Sequence, residues 1–179
     1  MKILGIDPGT AITGYGLVSR ADDGAVQLVE CGVIRTSSKA SLPERLRDIY
    51  EGVSELLERH EPDAVAVEGV FFGKNVRSAV VLGHARGAIL VAASLHQLEV
   101  AEYAPAEVKS AVVGTGRATK EQVQFMVQRL LRLRDVPKPD DAADGVAVAL
   151  CHCFRGLGPM AKSPMRFSLQ VLGQREGQL

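Results

Sequence analysis

A chain of 179 residues, 46% hydrophobic and without tryptophan, has the length and composition of a single globular domain with a real core. No uninterrupted apolar stretch reaches the roughly 18 residues of a membrane span. Met1 and Lys2 lead straight into an apolar run without signal-peptide flanks, so a cytoplasmic protein is expected. The 21 Lys and Arg balance the 21 Asp and Glu, but not evenly along the chain: residues 1–69 hold 7 basic and 12 acidic side chains, residues 70–138 hold 10 and 5.

The first expected strand is residues 2–7, where Ile3, Leu4 and Ile6 precede Asp7, Pro8 and Gly9. A carboxylate at the end of a buried strand costs several kcal/mol, on the order of an unpaired buried charge, unless it caps a turn or is held there for chemistry. Residues 12–19 and 26–36 are rich in β-branched and aliphatic residues and flank the turn Ala21-Asp-Asp-Gly24, giving an antiparallel meander. Ser41-Leu-Pro-Glu44 is a capping box, and Leu46, Ile49, Tyr50, Val53, Leu56 and Leu57 follow at helical spacing to about His60, before Pro62. Residues 63–70 form a short, nearly continuous apolar run, expected as a buried parallel strand, and it carries Glu68 near its end as the first strand carries Asp7.

Residues 75–97 predict a long helix rich in small residues. A fifth strand is expected over 100–105 and a short helix over 105–113. Thr119 and Gln122 form a second capping box for a helix to about Leu133. The last helix follows the loop 136–141 and runs to about Arg155, with Asp140 as its expected N-cap. The order βββαβαβ, then helices, places a right-handed crossover between the third and fourth strands, so that Asp7 and Glu68 would end neighbouring strands. The domain is expected to span 1–157, with 158–179 a loosely attached tail. Cys31, Cys151 and Cys153 are too few for a disulfide framework and read as buried thiols; His60, His84, His96 and His152 read as surface or half-buried.

The last helix adds Asp141 and Asp144, three apart and so on one face. Read alone, they are equally well solvated acids in a first turn, where the helix dipole favours anions. Gathered with Asp7 and Glu68 they would repel: two carboxylates ~4 Å apart cost about 4 kcal/mol at an effective dielectric of 20. Cations would relieve that, and hard oxygen ligands without His or Cys point to Mg²⁺, with Mn²⁺ able to substitute. Two such ions about 3.5–4 Å apart would serve a phosphoryl displacement.

The segments "GIDPGTAITGYGLV", "VAVEGVFFGKNVRSAVVLGHARG", "YAPAEVKSAVVGTGRATKEQVQFMV" and "PDDAADGVAVALCH" fall in order and resemble the crossover junction endodeoxyribonucleases, the RuvC family of Holliday junction resolvases, over residues 1–156. The resemblance implies an α/β ribonuclease H-like fold with a five-stranded mixed sheet. It implies a homodimer that cuts two symmetric strands of a four-way DNA junction with Mg²⁺, and partnership with RuvA–RuvB. It puts the catalytic acids on Asp7, Glu68, Asp141 and Asp144, leaving Asp140 out. It makes Phe71 an exposed ring stacking on an unpaired base, worth about 1–3 kcal/mol, and brings Lys109 and Lys120 to the DNA near the scissile phosphate. Lys74, Arg77 and Arg117 would touch the backbone. Taken singly, these lysines and arginines are ordinary solvated surface, and the two adjacent phenylalanines ordinary core. Gly69 departs from the pattern, which has a longer polar residue such as Gln after the catalytic Glu.

Two other classes compete with a nuclease. A sugar-kinase or actin-like ATPase shares Asp-x-Gly-Thr after its first strand, but no second such motif follows. A junction-binding module without catalysis would have no reason to gather carboxylates beside phosphates. For the dimer, the 75–97 helix is the expected interface, with Gly83, Gly87, Ala79 and Ala93 permitting close approach and Val76, Val80 and Leu90 supplying apolar contact.

Overall fold

The structure is a computed structural model and describes residues 1–69 and 76–155, the side chains of Val76 and Arg77 excepted. Among the described residues five strands and five helices follow in the order β1 (Lys2–Asp7), β2 (Ile12–Arg20), β3 (Val26–Arg35), α1 (Leu42–His60), β4 (Ala64–Glu68), α2 (Val76–Leu95), β5 (Val100–Tyr103), α3 (Pro105–Val113), α4 (Lys120–Leu130) and α5 (Asp140–Arg155). The sheet order is β3-β2-β1-β4-β5. β1–β2 and β2–β3 are antiparallel, and β1–β4 and β4–β5 parallel, as a meander followed by crossovers requires.

Each face of the sheet has its own core. Leu4, Ile6, Leu17, Val65 and Val67 pack with Ile49, Val53, Leu56 and Leu57 of α1 and Ala85, Ile89, Ala92 and Ala93 of α2. Ile3, Val18 and Ala66 face the other way, onto α3, α4 and the almost wholly buried α5. Side chains alternate along a strand. Asp7 therefore shares the face of Ile3, and Glu68 that of Ala66, so both acids turn towards α5.

Glycine brings α5 close enough to meet them. A Cβ on Gly14 of β2 would lie 1.9 Å from the carbonyl oxygen of Asp141. One on Gly145 of α5 would lie 2.5 Å from the Cα of Tyr15. Backbone rests directly on backbone there, which no side chain could permit.

Several expected ends shift by a few residues. β4 ends at Glu68, beyond which the Gly69 N–H adds one more bond to the Tyr103 carbonyl of β5, 2.8 Å away. β5 stops at Tyr103 because Pro105 opens α3. α4 stops at Leu130 because Arg132 takes a φ of 52° and the Leu133 N–H reaches back to the Gln128 carbonyl. Asp140 is the first residue of α5 and exposed, with the Ala142 N–H bonded to the Pro139 carbonyl, so it lies within the first turn rather than capping it. His152, expected at or near the surface, is 1% exposed, its Nδ1 lying 2.9 Å from the Tyr103 hydroxyl. Cys151 and Cys153 are buried as expected, while Cys31 is half-buried. Phe71, Lys74 and the tail 158–179 lie outside the described residues.

Ser78–Leu95 of α2 is long and apolar enough to cross a membrane by length and composition. Its Ala85, Ile89, Ala92 and Ala93 are buried against α1 and the sheet, and Arg86 pairs with Glu102 of β5. Ala93 is thus committed to the interior and does not belong to an outward face.

The seam makes a stability prediction. Gly145→Ala should cost about 2–3 kcal/mol, the range for overpacking a close contact, read as a lowered urea midpoint with an unchanged slope.

Candidate active site

Asp7 ends β1 opposite Gly14, Glu68 ends β4, and α5 begins with the two remaining acids. Carboxylate oxygens of Asp7, Asp141 and Asp144 lie within 4.8 Å of one another. Glu68 joins them through a hydrogen bond with Asp7. All four sequence-predicted acids therefore converge at one end of the sheet.

The electrostatics are those of acids crowded out of water. Burial, then the Glu68 charge and hydrogen bond, then Asp144 and Asp141, hold the Asp7 carboxyl far above its ordinary 3.8. Burial raises Glu68 too, although its bond with Asp7 and the nearby Lys109 and Lys120 oppose the rise. Burial thus pushes both hydrogen-bonded acids towards their neutral forms, Asp7 the more strongly. Asp144 is raised by burial against the pull of Lys120. The Lys120 ammonium lies 2.7 Å from Asp144 Oδ2, and that bond raises its own pKa. Thr119 caps α4 at its foot, accepting from the Gln122 N–H at 3.3 Å while its own N–H donates to Gln122 Oε1 at 2.8 Å. The second capping box of the sequence thus sets the lysine in place.

Among the described residues, Lys109, half-buried on α3, and Lys120 are the predicted basic residues that the fold brings to the acids. Arg117 is exposed on the loop between α3 and α4. Arg77 falls in the first turn of α2. At Gly69 an added Cβ would sit 3.5 Å from the Tyr103 carbonyl, an ordinary contact, so β5 does not demand glycine there.

Sequence reasoning missed the groups that hold the turn after Asp7. Thr13 is fully buried, and its hydroxyl donates to the Gly9 carbonyl at 2.7 Å. The Thr10 carbonyl accepts from side chains of β3's end and α1. A threonine beside Gly-Tyr-Gly in a strand carries no signal of this role, because its partner is fixed only by the turn.

An acid-rich, oxygen-only cluster fits hard divalent cations. A mixed sheet of this order, with carboxylates from two neighbouring strand ends and one helix converging at its edge, defines a nuclease of the ribonuclease H-like class. Comparison with known proteins narrows this. The family described as Crossover junction endodeoxyribonuclease RuvC matches residues 3–152. A relative of that name from Alkaliphilus metalliredigens is 51% identical over 156 residues, covering 87% of this chain and 94% of the relative. The Thermus thermophilus RuvC structure superposes with a TM-score of 0.81 at 40% identity, covering 87% of this chain and 95% of that one. Thermus thermophilus RuvC in complex with Holliday junction substrate gives 0.79 at 37% identity, with the same coverage. The chain belongs to the RuvC family of crossover junction endodeoxyribonucleases.

The pKa directions set a pH dependence. Asp7, Glu68 and Asp144 are raised in the folded chain, so between the ordinary carboxylate values and the raised ones the folded state holds more protons than the unfolded state. Stability from this source is full at acid pH and falls as pH rises through that window. In EDTA the melting temperature should decline from roughly pH 5 to pH 8. Asp7→Asn should flatten the decline and melt higher than the parent at the upper end, measured by calorimetry.

Proposed function

We propose that this chain resolves four-way DNA junctions by hydrolysing one phosphodiester on each of two symmetric strands, with Mg²⁺ as cofactor, in recombination and repair. The observation that carries the reading is the convergence of Asp7, Asp141 and Asp144 within 4.8 Å, with Glu68 hydrogen-bonded to Asp7. The junction is inferred as substrate from the solved relative that holds one. When bound, two divalent cations would supply Lewis-acid stabilisation of the attacking and leaving oxygens.

The protein's own part is to hold the four carboxylates at fixed separation, which the glycine contact of α5 with the sheet enforces. Lys109 and Lys120 stand beside the acids, where an ammonium attracts a phosphate. Phe71, Lys74, Arg77 and Arg117 are proposed as further DNA contacts, on family resemblance. Partnership with RuvA–RuvB rests on the same resemblance.

Two cuts on a two-fold junction call for two copies of the site. The outward face of α2 supports a homodimer. Cβ atoms built on Gly83 and Gly87 meet nothing within 4 Å, and Val80, Val91 and Leu95 are 55%, 53% and 65% exposed. Small residues beside uncovered apolar ones let a second helix approach closely. The interface so proposed keeps Gly83, Gly87 and Val80 of the sequence expectation and replaces Ala93 with Val91 and Leu95; Ala79 and Leu90 are half-buried, and the Val76 side chain lies outside the described residues.

Cleavage of a synthetic four-way junction with and without Mg²⁺ tests the activity. Asp7→Asn, Glu68→Gln, Asp141→Asn and Asp144→Asn should each slow it at least about a hundredfold while junction binding survives, since several kcal/mol of transition-state stabilisation correspond to two or more decades of rate. Asp140→Asn, on an exposed side chain outside the cluster, should cut nearly as well as the parent. Full activity in any of the four amide variants would remove that residue from the centre.

The dimer has its own test. The chain should sediment near about 38 kDa, twice its 19.1 kDa. Gly87→Arg should yield monomers whose cuts are single and uncoordinated. Paired cutting by a chain that stays monomeric on the junction would exclude the two-copy arrangement.

A further inference from the structure

The turn between β1 and β2 carries Asp7 at its start and has three successive carbonyls that leave the sheet: those of Gly9, Thr10 and Ala11. Each is met by a donor from elsewhere. The Thr13 hydroxyl reaches the Gly9 carbonyl at 2.7 Å, and the Thr36 N–H reaches the Ala11 carbonyl at 3.1 Å. The Thr10 carbonyl takes two donors, the Thr36 hydroxyl at 2.6 Å and Arg45 Nε at 2.9 Å. Arg45 Nε is also 2.9 Å from the Thr36 hydroxyl oxygen, so the three groups close a triangle.

Arg45 differs from the other donors in its origin. Thr13 and Thr36 belong to the strands that the turn joins or borders. Arg45 sits in the first turn of α1, its own N–H bonded to the Ser41 carbonyl at 3.0 Å, and α1 packs on the sheet face opposite α5. A charge-assisted bond to a neutral carbonyl is stronger than a neutral one. It anchors the turn to a rigid helix, not only to the strands that lead into it. Thr10 is three residues from Asp7, which is paired opposite Gly14 at the end of β1, and Pro8 and Gly9 link that strand end to the Thr10 carbonyl.

We propose that Arg45 is a positioning residue for the acid centre. Through the Thr10 carbonyl it fixes the turn that carries Asp7, and so sets the affinity of the centre for divalent cations. This rests on the metal-dependent reading above. Without the guanidinium the turn samples other arrangements, and the apparent metal dissociation constant rises by the inverse of the fraction still in the competent one. If that fraction falls to about one in five, affinity falls about fivefold, and excess metal restores the competent arrangement by mass action. Thr36→Val removes the weaker donor and should have a smaller effect. Arg45→Lys can donate to the Thr10 carbonyl but cannot hold both partners, and should fall between Arg45→Ala and the parent. The double variant Arg45→Ala with Thr36→Val should be non-additive, because both donors meet on one oxygen.

The experiment measures Mn²⁺ binding to the DNA-free protein by calorimetry, with single-turnover junction cleavage across a Mg²⁺ titration, junction affinity in EDTA, and melting temperature. For Arg45→Ala the expected result is Mn²⁺ affinity and Mg²⁺ half-saturation weaker by about fivefold. The cleavage rate should recover at high Mg²⁺, and junction affinity in EDTA should be unchanged within about twofold. Parental metal dependence in Arg45→Ala, with or without a lowered melting temperature, would overturn the proposal. So would a loss of junction affinity in EDTA with a shallower salt slope, which would make Arg45 a phosphate contact. Asp7→Asn separates the two readings: parental Mn²⁺ binding by that variant would overturn the metal reading of the acid centre, and the clasp with it.

Discussion

The closest constraint in this molecule is backbone against backbone. α5 lies on β1 and β2 at a distance that leaves no room for a Cβ at Gly14 or Gly145. An ordinary helix rests on a sheet through a layer of side chains. Here that layer is missing along the line that leads to the acids, so the first turn of α5 drops to the level of the strand ends. Asp141 and Asp144 reach Asp7 because of it. With side chains in that seam, the spacing of three between the two aspartates would still put them on one helix face, but the face would stand too far from the sheet to share a cation.

The site works against the fold that holds it. Acids that burial and one another push upward would be more comfortable neutral, and the chain counters them with the hydrogen bond between Asp7 and Glu68 and with Lys120 against Asp144. The stability that tolerates this comes from elsewhere, from the two apolar layers on either side of β1 and β4. Both strands are buried through their middles and release their acids only at the last residue. In these two central strands the ends are thus where a carboxylate can reach solvent without opening the core.

Much of this was legible in the sequence, because it depends on local pattern. Two apolar runs each closing on an acid, a helical spacing of three and two capping boxes gave the element order, the parallel pairing of β1 with β4 and the four acids. Alternation along a strand even fixes which face Asp7 and Glu68 share. What escaped depends on contacts between segments distant in the chain. Nothing around Gly14 announces Asp141, and nothing around Arg45 announces Thr10. His152 reads as a polar residue near a helix end and is instead interior, because Tyr103 of β5 supplies its partner. α2 was half legible: its small residues signal close packing, but composition does not say that Ala93 faces inward while Gly83 and Gly87 face out. Asp140 was assigned to a cap by its place before an apolar run, and the helix simply begins with it.

The pairing of Lys120 with Asp144 ties α4 to α5 beside the acids. Lys109 and Lys120 oppose the rise that burial imposes on Glu68, and Lys120 does the same for Asp144. The two lysines come from α3 and α4, which pack on α5 on one side of the sheet. The acids are thus answered by charges from two separate helices, so a shift of α3 or α4 against α5 would reach the carboxylates as a change of field without any acid having moved.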